Sequence, residues 1–191
     1  MAMARMINGV DVARMTETID AIKQDPEIAK FRFRANNIWD DGGHNMTTIH
    51  DFYGAKQNVD HLHDFHIEAD EPEILLGHDL GANPVEMVLS AMAACLTTSL
   101  VYHAAARGIT IRGVESELEG ELDLRGFLGM SDDIRRGYQG INITMKVDAD
   151  ASQETLDELV LLARKQSPVA DIVSNPVDIM VKGEVLETDL H

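Results

Sequence analysis

At 191 residues, 45% hydrophobic and 26% charged, the chain is long enough for one substantial core with an appendage, and its composition excludes a disordered or fibrous protein. Its formal net charge of −17 excludes nucleic acid and anionic membrane surfaces as partners, because both need a basic footprint. The single cysteine excludes an intramolecular disulfide and fits a reducing compartment. The Met1–Gly9 stretch lacks the apolar core of a signal peptide, so the expected location is the cytoplasm.

In chain order, Val10, Val12, Met15, Ile19 and Ile22 recur at near-helical spacing until Asp25-Pro26, which predicts an amphipathic helix from Val10 to Gln24. Residues 1–30 are therefore read as a helical extension and residues 31–191 as the main domain. Alternation starting at Phe31 predicts a strand over Phe31–Trp39, and Asp40-Asp41-Gly42-Gly43 is a turn signal. Met46–Tyr53 reads as the return strand of a hairpin, with a third strand at His61–Glu68 and a loop from Glu71 to Ala82.

The next stretch, Asn83 to Gly108, organises the chain. Asn83 is a good N-cap, and Pro84 at the first helical position loses no needed hydrogen bond. Ala, Leu and Met then dominate without interruption by Gly or Pro, Arg107 suits the last turn, and Gly108 can adopt the left-handed C′ conformation. The run is apolar or small on nearly every face, as in a helix buried all round. It is also long enough to span a bilayer, for which about 20 apolar residues suffice. Glu86, His103, Ser90, Thr97, Thr98 and Ser99, together with the lack of a flanking basic cluster, favour the central helix of a soluble core.

Beyond it, Val114–Leu124 alternates acidic and Leu positions as in a sheet with one wet face, and Phe127–Gly137 reads as an exposed loop. Ile141–Val147 is a further strand. A second helix is expected over Ser152–Gln166, ended by Pro168, and Val177–Val185 is expected to close the chain as a strand. Strands that neighbour one another in sequence favour α+β over a doubly wound parallel sheet.

Few residues here can carry chemistry. Cys95 lies near the middle of the central helix, where a free cysteine is either a small apolar filler or a nucleophile. A thiolate needs a polarising neighbour, and the helix's own N-terminus is roughly 18 Å away. Glu86, nine residues back, falls on the opposite side of the helix at 100° per residue. His61 and His63 share a strand face but have no third ligand identifiable in the sequence, so no metal is expected. Phosphate-loop, dinucleotide, nucleophile-elbow and H-E-x-x-H motifs are all missing, and no cofactor is expected.

The run Asn83-Pro84-Val85-Glu86 to Ala93-Ala94-Cys95 resembles the N-P-x-E…A-A-C helix of the OsmC/Ohr family, the osmotically inducible and organic-hydroperoxide-resistance proteins. Ser167-Pro168-Val169 resembles that family's second motif, usually C-P-x, and the strand order from Phe31 to Val185 also agrees. The N-terminal helix and the Phe31–Trp39 strand look like those of a larger OsmC-like subgroup. The resemblance implies an α+β intertwined homodimer, with two central helices wrapped by antiparallel sheets and sites at the dimer interface. It also implies a peroxidase in which one cysteine attacks an organic hydroperoxide and a second resolves the sulfenic acid, with an arginine and a glutamate activating the first thiol.

The resemblance places three departures in this chain. Ser167 occupies the resolving position, His44 follows Gly42-Gly43 where the peroxidases have arginine, and Val85 stands at the usual glutamate position with Glu86 one residue on. Arg32 and Arg34 are the alternative cations. The implied site is thus Cys95 with Glu86 and His44 in a one-cysteine peroxidase served by an external thiol. The alternative is a non-catalytic stress protein that binds an apolar small molecule in the dimer cleft.

Overall fold

The computed structural model describes residues 5–186. Residues 1–4 and 187–191, including the first part of the N-terminal stretch read above and His191, lie outside the described residues. The described part is mixed α and β with antiparallel sheets, as expected. It begins with a small ribbon of β1 (Met6–Ile7) and β2 (Val10–Asp11), followed by α1 (Val12–Gln24). Asp11 caps α1 by accepting from the backbone N–H groups of Ala13 and Arg14. The helix therefore starts two residues later than the hydrophobic spacing suggested. Asn8 takes a left-handed backbone at the turn of this ribbon, with φ 53°. Its side-chain amide donates to the Ile109 carbonyl at 2.9 Å and accepts from the Ile111 N–H at 2.8 Å.

The predicted Phe31–Trp39 strand is two pieces, β3 (Arg32–Phe33) and β4 (Asn36–Asp41), which pair with opposite ends of the same long β5 (His44–Gly54). The register fixes the break at Arg34-Ala35: Phe33 pairs with Phe52, whereas Asn36 pairs with Thr48. On its other edge β5 pairs with β6 (Gln57–Ala69), through a two-residue turn at Ala55-Lys56 whose φ angles are 48° and 67°. Positive φ at both positions defines the hairpin turn that suits right-handed strand twist, although this turn usually uses Asn and Gly. A register shift lies between Ile49 and Asp51, where β6 carries the extra residues.

The 70–82 loop is tied around one buried carboxylate. Asp70 is 1% exposed and accepts backbone N–H groups from Glu71 at 2.8 Å, His78 at 3.0 Å and Leu80 at 3.2 Å. Gly77 fits because a Cβ there would lie 1.8 Å from the Glu71 carbonyl oxygen. These backbone donors hold the Asp70 carboxyl below the usual carboxylate range against the opposing effect of burial. A depressed carboxylate stabilises the fold above its unfolded pKa and loses that contribution as pH falls through the folded value. Asp70→Asn is accordingly expected to lower Tm by about 5 °C at neutral pH. Its urea midpoint should also fall less than wild type's between about pH 5 and about pH 3. Parallel pH profiles for the two proteins would refute that assignment.

The loop delivers the chain to α2 (Pro84–Ala106), whose ends are those read from the sequence. Asn83 and Glu86 form a reciprocal capping box, and Gly108 is left-handed at φ 76°. Against α2 pack β7 (Ile111–Glu121), α4 (Gln153–Gln166) and α5 (Pro168–Ser174). Between β7 and β8 (Gly140–Ala149), which pair antiparallel along their lengths, lies the short α3 (Leu124–Phe127). Met92, Leu96 and Ala170 form the buried cluster, with Leu118, Met145, Val169 and Val173 around it.

Two expectations fail within this chain. Val177–Val185 forms no strand among the described residues, and Met180 and Val181 are 98% and 90% exposed. A strand needs an edge to pair with, and none is supplied to it here. Nor is α2 buried all round: only Met92, Leu96, Leu100, Ala104 and Ala105 are buried, and Tyr102 is 52% exposed. It is the one helix among the described residues long and apolar enough to cross a membrane. The β3–β6 sheet packs extensively on neither α2, α4 nor α5 among the described residues. Phe33, Ile38, Trp39 and Leu62 on that sheet are largely exposed. A folded 21.1 kDa monomer is expected to expose about 9,000 Å², whereas this chain exposes 14590 Å².

Candidate functional site

Cys95 sits halfway along α2, half-buried. The residue facing it comes from the junction of α4 and α5. Pro168 cannot continue α4, since it has no N–H and would clash with the preceding turn, but it suits the first position of a new helix. It also favours extended backbone at the residue before it, and Ser167 has φ −75° and ψ 116°. Pro168 was expected to end the second helix, and it does so by starting the next. The bend turns Ser167 inward to 1% exposure, where its Oγ accepts from the Ala170 N–H and donates to Cys95 Sγ, each at 3.1 Å. Ser167 is thus both a helix cap and the direct polar neighbour of the only cysteine.

The other residues assigned to the site are differently placed. Glu86 is exposed in the first turn of α2, where its carboxylate accepts from the Asn83 N–H at 3.0 Å. It therefore completes the helix cap. His44 opens β5, with Nδ1 3.0 Å from the Asp40 carboxylate, a side chain 14% exposed, and a buried Nε2 that has no hydrogen-bond partner among the described residues. Arg34 is paired with Asp51 and hydrogen-bonded to Asn58, which leaves it poorly suited to act as a free cation. The His61 ring lies 5.4 Å from Phe52 and 5.0 Å from Phe65, and His63 also packs on Phe65. Among the described residues no group of His, Cys, Asp and Glu could hold a metal. Within this chain, then, the structure joins Ser167 to Cys95, while Glu86 and His44 hold to partners of their own.

A cavity of about 630 Å³ opens beside this pair, between α2, β8 and the α4–α5 junction. Its α2 wall is Val85, Val88, Met92 and Leu96. Cys95 does not line it, but at 100° per residue it lies about 20° from Val88 and about 60° from Met92 around the helix, on the flank of that wall. Across the cavity, Tyr138 donates its hydroxyl to the Val85 carbonyl at 2.7 Å, and burial raises its pKa above the ordinary phenol value. Its ring covers Gly120, where a Cβ would lie 2.5 Å away.

An apolar helix that carries the single cysteine, packed on the antiparallel β7–β8 pair and on a second helix that gives way to Ser-Pro, has the α+β pattern of an OsmC-like protein. The family model described as OsmC-like protein matches residues 77–182, more than half of the chain, and the chain belongs to that family. Among solved structures it resembles an OsmC-like protein from Mycoplasma pneumoniae, with 17% identity over 75% of this chain and 87% of that one, at a TM-score of 0.58. An OsmC-like protein of unknown function from Vibrio cholerae shares 13% identity over 73% and 92% of the two chains, at a TM-score of 0.54. A protein from Aquifex aeolicus shares 13% identity over 74% and 86%, at 0.52. These likenesses show the fold. Curated protein sequences give no match.

Proposed function

We propose that the protein is a one-cysteine thiol peroxidase for organic hydroperoxides, acting as a homodimer in the cytoplasm. The carrying observation is the 3.1 Å hydrogen bond from Ser167 Oγ to Cys95 Sγ. It puts a hydroxyl, able to donate to sulfur but not to form a disulfide, where the family resemblance implies a second cysteine. In the reaction the Cys95 thiolate attacks the outer peroxide oxygen, the O–O bond breaks, and the leaving alkoxide takes a proton to become the alcohol. One external thiol then displaces water from the sulfenic acid to give a mixed disulfide. A second external thiol releases Cys95 and leaves as the external disulfide. Membership of the OsmC-like family supports a stress-response or peroxidase-like role. The unpaired Val177–Val185 segment and the uncovered β3–β6 sheet support the homodimer. In it, the His44 hairpin and Glu86 would serve Cys95 only if brought there by subunit pairing.

One observation favours the non-catalytic reading, in which the protein binds an apolar small molecule. Glu86 and His44 are engaged by Asn83 and Asp40, while the apolar cavity stands open beside Cys95. Reaction of the reduced protein with one equivalent of cumene hydroperoxide, followed by intact mass and thiol titration, separates the two. A one-cysteine peroxidase gains one oxygen at Cys95, faster than with hydrogen peroxide, and Cys95→Ser loses more than about 10²-fold of turnover. A thiol that survives the exposure leaves only the binding protein.

A further inference from the structure

Both edges of β5 lose their register at the same level. On one edge the pairing jumps from Phe33–Phe52 to Asn36–Thr48, across Arg34-Ala35. On the other it jumps from Asp60–Asp51 to Phe65–Ile49, so the four residues His61–Asp64 stand opposite His50 alone. Only β5 crosses this line with its own ladder positions intact. The line divides the sheet into an outer part, β3 with the Asp51–Asp60 hairpin, and an inner part, β4 with His44–Ile49 and Phe65–Ala69. Interrupted ladders are where sheets bend, and neither α2, α4 nor α5 packs extensively over this one. Leu62 in the bulge is 101% exposed, so its side chain does not hold the bulge down.

Polar side chains bridge the line instead, and they centre on His50. Its Nδ1 is 2.5 Å from the Asp64 carboxylate at the inner end of the bulge, and its Nε2 is 3.9 Å from Asp60 at the outer end. Asp51 and Asp60 are paired across the strands, an arrangement of like charges that disfavours the ladder. Arg34, in the opposite break, pairs with Asp51 and donates to Asn58, both in the outer part. The charge of Asp60 is therefore left to His50.

We propose that the β3–β6 sheet hinges at His50, and that protonation of His50 closes the hinge by joining Asp60 to Asp64. A neutral imidazole has one N–H and serves one carboxylate, whereas the imidazolium donates from both nitrogens. The charged surroundings are Asp60 and Asp64 from β6, Asp51 from β5 itself and Arg34 through Asp51, with His63 and His66 acting on Asp64. The Asp64 hydrogen bond and charge, helped by Asp60 and Asp51, raise the His50 pKa above the ordinary histidine value against desolvation. A raised histidine gives its full stabilisation below about pH 6.5 and loses it as pH rises through the folded value. The hinge is thus closed in mild acid and loosens toward alkaline pH. This inference is independent of the chemistry at Cys95.

Amide hydrogen exchange of the full-length protein tests it, read as protection factors so that the intrinsic pH dependence of exchange cancels. From about pH 6 to about pH 8.5, protection over Asp60–Phe65 should fall at least about threefold, while Gln57–Val59 in the outer ladder and Ile141–Val147 in β8 stay unchanged. His50→Gln should flatten that profile, and His50 is exposed enough for the variant to fold. Asp64→Asn should move the His50 titration, followed by NMR, down toward the ordinary histidine value. A pH-independent bulge in the wild type, or the same fall in His50→Gln, overturns the proposal. Loss of protection that spreads through Gln57–Val59 also overturns it, because the outer part would then be fraying rather than turning as a unit.

Discussion

Replacing Ser167 by cysteine is expected to change the product of oxidation altogether. After one equivalent of cumene hydroperoxide the reduced Ser167→Cys protein should hold no free thiol and no added oxygen, whereas the wild type should hold one added oxygen on Cys95. The reason is proximity. Ser167 Oγ is 3.1 Å from Cys95 Sγ, and a disulfide requires its sulfurs about 2.05 Å apart, so a cysteine at 167 has about 1 Å to close. The sulfenic acid formed at Cys95 would be attacked by the new thiolate, releasing water. The substitution also removes the cap that Ser167 supplies to Ala170, at a cost of about 1 kcal/mol, which a well-packed core tolerates. Non-reducing peptide mapping should find the 95–167 bond. A variant that accumulates a stable sulfenic acid with its second thiol intact would show that the two side chains do not meet.

The second large effect concerns association. Light scattering at micromolar concentration should give twice the 21.1 kDa chain mass, with no monomer on tenfold dilution. The exposed area exceeds that of a monomer of this mass by roughly 5,500 Å², more than a standard protein–protein interface buries on one partner. Large apolar side chains are exposed in places that pairing would cover: Phe33, Ile38 and Trp39 on the sheet, Tyr102 on α2, and Met180 and Val181 in the unpaired segment. Val181→Asp together with Met180→Asp should then shift the protein toward monomers with lowered Tm, because two charges would be desolvated at the interface. A wild-type monomer that is stable at micromolar concentration would leave that apolar surface without a function.

How much of this was legible in the sequence depended on the range of the interactions involved. The ends of α2 could be read because Asn83, Pro84 and Gly108 act through their own backbone conformations and their immediate neighbours. The split of the first strand at Arg34-Ala35 could not, since it arises from pairing with β5, and alternation continues across it. The Ala55-Lys56 turn was hidden because neither residue is a usual turn former. The site shows the same division. Cys95 and the Ser167 position were found from local motifs, but their contact spans 72 residues and depends on how α5 meets α2. The cavity carried no motif, because its walls come from α2, β8 and the α4–α5 junction. The Val177–Val185 segment has the right alternation and no partner edge among the described residues, which local pattern cannot supply.

The amide of Asn8 joins residues 101 and 103 positions apart in the sequence. On the ribosome, at about 5–20 residues per second, the N-terminal arm emerges some 5–20 s before the strand it fastens to has been made. The arm precedes the strand it fastens to, so this fastening forms only once α2 and the start of β7 have been synthesised.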